Sequence, residues 1–117
     1  MELTPSQRAR YARHVLLPEV AVTGQLRILA GAARVVGAGR AAEEAATYLA
    51  AAGVGRLGLE PALAERIGAR LAALNPDTSL VEDDGALLVA PADPERRAAG
   101  AEAALVALLA LAGVVPA

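Results

Sequence analysis

The sequence predicts a small, three-layer α/β domain: a short, mostly parallel sheet of three or four strands, with a helical extension at the N-terminus. Three observations carry this. Ala32-Ala33-Arg34-Val35-Val36 is rich in β-branched residues, breaks at Gly37-Ala38-Gly39 and gives way to an alanine-rich stretch over 41–52, so strand, glycine turn and helix follow one another. Arg56-Leu57-Gly58-Leu59 comes next as a second short strand; a crossover helix joining two neighbouring strands makes them parallel, with right-handed connection. Finally, 117 residues with a 56% hydrophobic fraction suffice for one core and not for two.

The elements can be justified in chain order. Thr4-Pro5-Ser6-Gln7 has the form of a capping box, with a hydroxyl at the N-cap, Pro at the first helical position and Gln at the third. It predicts a helix over 5–14, stopped before Leu16-Leu17-Pro18 because the residue preceding a proline is disfavoured in the helical region. Thr23-Gly24-Gln25 opens a short helical turn that ends at Gly31, completing an extension over 1–31 ahead of a core over 32–117. Gly53 stops the helix of the βαβ unit. Pro61 starts another, with Leu63, Ile67, Leu71 and Leu74 at helical spacing, Glu65, Arg66 and Arg70 facing away, and Asn75-Pro76 as its end. Residues 78–81 and 86–89 are further strand candidates. Four residues between them are too few for a parallel crossover between neighbours, which leaves an antiparallel hairpin or, as the favoured reading, an extended connector over 78–84 with only 86–89 in the sheet. Pro91, Asp93 and Pro94 make a loop, and a helix over 95–112, frayed at Gly100, closes the chain.

Composition removes whole classes of chemistry. All eleven basic residues are Arg, and Cys, Trp and Phe are absent. Without Cys there is no thiolate nucleophile, thioester or cysteine-held zinc. Without Lys there is no Schiff base and no phosphate lysine of the Walker type. A net charge of −2 with scattered Arg lacks the basic stripe and stacking aromatics of a nucleic-acid surface. The start, Met1-Glu2-Leu3-Thr4-Pro5, is acidic and unlike a signal peptide. The apolar stretch 103–117 falls short of the roughly 20 residues that span a bilayer. The expectation is a cytoplasmic protein with neither nucleic-acid nor membrane partners.

Gly37-Ala38-Gly39-Arg40-Ala41-Ala42 fits the G-x-G-x-x-G/A pattern between a strand and a helix. Gly37 would permit the tight turn, Gly39 the approach of a phosphate to the backbone, and Ala42 close packing of helix on strand, the motif of a Rossmann-like nucleotide fold. The helix start would offer N–H groups to an anion. Glu60 stands 21 residues beyond Gly39, where an acidic side chain accepts a ribose hydroxyl. The alternative is purely structural, with the glycines turning the chain and Ala42 only packing.

Several motifs together resemble the opening of the ThiF/MoeB/HesA family, bacterial relatives of ubiquitin-activating enzymes. They are Arg10-Tyr11-Ala12-Arg13-His14, Leu16-Leu17-Pro18-Glu19 with Gly24-Gln25, Val35-Val36-Gly37-Ala38-Gly39, and the run from Tyr48 to Gly55. Leu74-Asn75-Pro76-Asp77, the stretch ending at Asp93 and the final helix resemble later pieces of the same family. The resemblance implies a dimeric Rossmann-like domain that binds ATP and magnesium and adenylates the C-terminal glycine of a ubiquitin-like sulfur carrier such as ThiS or MoaD. Gly37, Gly39, Arg40, Ala42, Glu60 and Arg13 would then be nucleotide-binding, with Arg13 reaching across the dimer, and Asp93 would hold the magnesium.

The departures are as specific. Arg40-Ala41-Ala42 replaces the family's further glycines, and Glu60-Pro61 runs directly into a helix where the family has an Asn/Arg-bearing loop. Leu63 takes the place of an ATP-contacting lysine. The half-sheet that grips the carrier is missing between Pro94 and the final helix. Each candidate also has a plain structural role: Arg13 and His14 as helix-end cations, Asp93 as a helix N-cap followed by Pro94, and Glu82-Asp83-Asp84 as a solvated turn. The expectation is therefore a degenerate, catalytically inactive binding or dimerisation module, working as a homodimer or with a heteromeric partner. A residual ATP-dependent adenylyltransferase acting on a ThiS/MoaD-like carrier is the alternative, and a reduced NAD-type site ranks last.

Overall fold

The first helix begins as its spacing predicts. In the computed structural model Thr4 Oγ1 accepts a hydrogen bond from Gln7 N at 3.1 Å, and Gln7 Oε1 accepts one from Thr4 N at 3.0 Å. This reciprocal pair satisfies two N–H groups at the start of helix α1, Pro5–Arg10. The structure describes residues 2–12, 21–81 and 87–113. The expected extension of α1 to His14, the Leu16-Leu17-Pro18 stop, Arg13 and the Glu82-Asp83-Asp84 turn lie outside the described residues.

Helix α2, Ala21–Ala30, leads into strand β1, Ala32–Val35. Helix α3, Arg40–Ala51, connects β1 to β2, Arg56–Gly58, and helix α4, Pro61–Leu74, connects β2 to β3, Ser79–Leu80. Strand β4, Leu87–Val89, and helix α5, Arg97–Ala112, complete the described elements. The strands form one sheet in the order β3-β2-β1-β4, with every pair parallel. This is a small, Rossmann-like α/β domain.

One strand departs from the favoured reading. Residues 79 and 80 form a strand beside β2, with Leu80 opposite Leu57, and are not a connector. The crossover argument applies to neighbours, whereas β3 and β4 lie at opposite edges with β2 and β1 between them. Leu80 and Leu87 sit at the same level of the sheet, since Ala33 pairs with both Leu57 and Leu87. Three strand spacings are about 14 Å, and the seven steps from Leu80 to Leu87 reach about 24 Å. A short link therefore suffices when the strands themselves are so short.

Burial alternates along the strands as the pleat requires. Ala33, Val35, Leu57 and Val89 are buried under α3, α4 and α5, whereas Arg34, Val36 and Leu88 on the opposite face are exposed. Among the described residues, every helix that packs on a strand lies on the first of these faces. Ile28, Leu49, Leu57, Leu63 and Leu71 are the large side chains of the core. Each contributes roughly 1.5–3 kcal/mol by burial.

The remaining space is closed by small residues. A Cβ added at Gly100 would lie 2.0 Å from the Ala41 carbonyl oxygen, so α5 crosses α3 backbone against backbone, with Ala45, Ala104 and Ala107 filling the seam. Gly100 is thus an interior residue of α5 and not a point of fraying. The N-terminal part is fastened by a polar cluster below the sheet. Tyr11, 2% exposed, donates its hydroxyl hydrogen to Asp77 at 2.7 Å and accepts from Asn75 Nδ2 at 2.8 Å. Asn75 also donates to the Ala50 carbonyl at 2.8 Å, and Arg10 pairs with Asp77 at 2.6 Å. Gly53, at φ +92°, leaves room for the Tyr11 ring, which a Cβ there would approach to 2.6 Å. No helix among the described residues is long and apolar enough to cross a membrane.

Candidate functional site

The order β2-β1-β4 makes the crevice between the C-terminal ends of β1 and β4 the switch point of the sheet, where α/β folds place their ligands. Two segments meet there: the glycine turn after β1 and the loop 90–96 after β4. Gly37 takes φ +99°, a conformation that L side chains rarely adopt. Gly39 is approached by the Pro94 carbonyl, which would lie 2.9 Å from an added Cβ. Both glycines are thus required by the backbone path itself.

Two donors of this turn have partners within the chain. Gly37 N–H donates to Glu60 Oε2, and Ala41 N–H, in the first turn of α3, donates to the Pro94 carbonyl at 3.1 Å. Glu60 therefore sits where the sequence places an acid, at the end of β2, but its carboxylate faces the turn's own N–H group. Ala42 is buried against the core, and Arg40 is exposed at the first position of α3. The cavity between the two segments is about 190 Å³, lined by Val36, Gly37, Gly39, Ala42, Pro91 and Pro94. Ligand pockets usually run from about 300 to 1,000 Å³.

Asp93 lies in the loop beside this cavity, next to Pro94. Its Oδ1 accepts from Glu95 N at 3.0 Å, and its Oδ2 is 4.0 Å from Arg96 Nε. The residue does not cap α5, because its own carbonyl takes Arg96 N–H and holds 93–96 as a turn; the helix starts at Arg97, with Arg96 as N-cap. Among the described residues no three His, Cys, Asp or Glu side chains are grouped as metal ligands. Leu63 is completely buried beside Ile67 and Leu71, so its position faces the core and not the crevice.

Sequence reasoning missed one participant. Arg66, taken as a solvent-facing residue of α4, reaches back to the turn and donates to the Ala38 carbonyl at 2.9 Å. It also pairs with Glu43 at 3.1 Å, and Arg70 pairs with the other Glu43 oxygen at 3.1 Å. The Arg66 and Arg70 guanidinium groups hold the Glu43 carboxyl below the usual carboxylate range, a preference shared by the first turn of a helix. The legible signal is the i, i+4 spacing of the two arginines, which puts both on one helix face. Among the described residues no buried polar side-chain atom lacks a hydrogen-bond partner. The side chains around the turn therefore leave no buried donor spare, and the Gly37 and Ala41 N–H groups are engaged within the chain.

No protein-family model matches the chain. Part of it is similar to curated proteins described as adenylyltransferase and sulfurtransferase MOCS3: 56% identical over 57 residues to the mouse protein, 53% over 57 to the bovine and 49% over 57 to that of Arabidopsis thaliana. Each match covers 49% of this chain and 12% of the relative, so the matched part of the chain spans about an eighth of the length of the proteins it resembles.

Proposed function

We propose that the chain is a catalytically inactive, ThiF/MoeB/HesA-like module that works by binding protein, in association with the activation of ubiquitin-like sulfur carriers, and that its glycine turn is structural. The similarity to MOCS3 supports the association with adenylyl- and sulfur-transfer systems. The observation that carries the inactivity is the closure of the turn from within, with Glu60 on the Gly37 N–H and the Pro94 carbonyl on the Ala41 N–H. Adenylyl transfer depends on preorganised charge around the phosphates, and each missing donor costs roughly 3–4 kcal/mol of barrier. Here Leu63 lies in the core and Asp93 is engaged by its own loop. Among the candidates that lie in the described residues, exposed Arg40 is left to supply the field that a magnesium–ATP complex needs.

A second reading, a residual adenylyltransferase, is favoured by one observation: the 56% identity over 57 residues to a protein described as an adenylyltransferase. Exchange of labelled pyrophosphate into ATP, measured with magnesium and a ThiS-like carrier, separates the two. The inactive module gives exchange no faster than buffer, and the enzyme gives exchange that depends on the carrier.

A further inference from the structure

Helix α1 is fastened to the molecule through polar contacts and not through the core. None of its residues is buried, and Leu3 and Tyr11, the buried side chains on either side of it, lie outside the main hydrophobic cluster. Its length of 6 residues is also too short to persist alone, since isolated helices below about 12–15 residues are marginal in water. The helix therefore depends on what holds it down.

Three donors from this segment converge on one carboxylate. Asp77 accepts from Gln7 Nε2 at 3.4 Å, from Arg10 Nη1 at 2.6 Å and from the Tyr11 hydroxyl at 2.7 Å. Gln7 also closes the capping box, with its Oε1 on the Thr4 N–H. One side chain thus joins the start of α1 to the latch, so loss of the Asp77 contacts loosens the cap and the far end together. Such coupling makes the segment a single cooperative unit.

The seat of the latch is complete without α1. Asn75, 1% exposed, donates to the Ala50 carbonyl at 2.8 Å and accepts the Asp77 N–H at 2.9 Å. Thr78 donates its hydroxyl to the same Ala50 carbonyl at 3.4 Å. Departure of Tyr11 leaves Asn75 anchored twice, with one amide hydrogen given over to water. Gly53, without a Cβ, keeps the space that the Tyr11 ring fills. The Asp77 side chain, 20% exposed, already reaches the surface and rehydrates on release.

We infer that α1 is a releasable strap: residues 2–12 unlatch from Asp77 as one unit while the sheet and its helices stay folded, baring a preformed, aromatic-sized recess beside Gly53 and Asn75. The glycine turn takes no part in this step, so the strap and the nucleotide question stand or fall separately. Amide hydrogen exchange of the full chain, followed by NMR in urea from zero to about 1 M, tests it. The Arg8 and Tyr11 N–H groups donate to the Thr4 and Gln7 carbonyls. They should share one protection factor, at least about a hundredfold below that of the central α3 amides. Their exchange should not respond to urea, because releasing a strap exposes little surface and global unfolding exposes much. Asp77→Ala should speed their exchange at least about tenfold, the scale of lost hydrogen bonds to a charged group. Exchange that matches α3 in rate and urea dependence, or that is unprotected from the outset, overturns the proposal, as does an Asp77→Ala chain with unchanged α1 exchange. Where that variant fails to fold, the urea response of the unmodified chain decides.

Discussion

Glu60 shows how one residue can satisfy a motif in sequence and serve another purpose in space. Its position after β2 is the one the nucleotide pattern requires, and its carboxylate holds the Gly37 N–H. Glu60→Ala should therefore cost about 1–3 kcal/mol, the usual penalty for stranding a donor whose partner was charged, read as a lower urea midpoint. It should not create an ATP site, because the Pro94 carbonyl still occupies the Ala41 N–H. Tyr11 is a second such residue: it belongs to the motif that resembles a nucleotide enzyme and works here as a structural pin. Tyr11→Phe should lose about 1 kcal/mol, or roughly 4 °C in Tm. Burial raises the Tyr11 phenol above its ordinary value. Burial also pushes the Asp77 carboxyl up, but hydrogen bonds from Tyr11 and Gln7, with the Arg10 guanidinium, outweigh it and hold Asp77 below its ordinary value. A depressed carboxyl stabilises fully above the unfolded pKa of about 3.9 and loses that stabilisation as pH falls through the folded one. Urea titrations at about pH 6 and about pH 3 should differ less for Asp77→Asn than for the parent chain.

The helices were largely legible in the sequence and their mutual contacts were not. The capping box at Thr4, the βαβ unit from β1 to β2 and the apolar spacing of α4 are local patterns, and each appears where the residues put it. Strand β3, a strand candidate in the sequence, was set aside as a connector because the crossover argument took it for a neighbour of β4, and its pairing with β2 instead depends on where the rest of the chain has already gone. The start of α5 was misplaced for a related reason: Asp93 and Pro94 look like an N-cap and first turn, but the Asp93 side chain and carbonyl hold the following N–H groups in a separate turn. The approach of Pro94 to Gly39 joins residues far apart in the chain, and no local rule announces it. Gly100 is the sharpest case, a poor helix former whose value lies in the 2.0 Å that a Cβ would leave to the Ala41 carbonyl. Gly100→Ala should destabilise by about 1–3 kcal/mol despite its better helix propensity, seen as a fall in the urea midpoint. The Glu43 clamp is more modest, since Arg66 and Arg70 are 50% and 56% exposed. A double-mutant cycle between Glu43 and Arg70 should give a coupling below about 1 kcal/mol that shrinks with added salt.

At the scale of the molecule, the fold has the switch-point crevice of a parallel α/β sheet, and two N–H groups at that crevice are satisfied within the chain. The class of fold was readable because a strand, a glycine turn and a helix specify a βαβ unit almost by themselves. The state of the site was not, because it depends on which carbonyl and which carboxylate reach the turn. The central claim is that the turn binds no nucleotide, and calorimetric titration of the chain with magnesium–ATP tests it most directly. The account predicts no heat beyond dilution up to millimolar ATP; a saturable isotherm with a Kd tighter than about 100 μM, some 5.5 kcal/mol of binding, would contradict it.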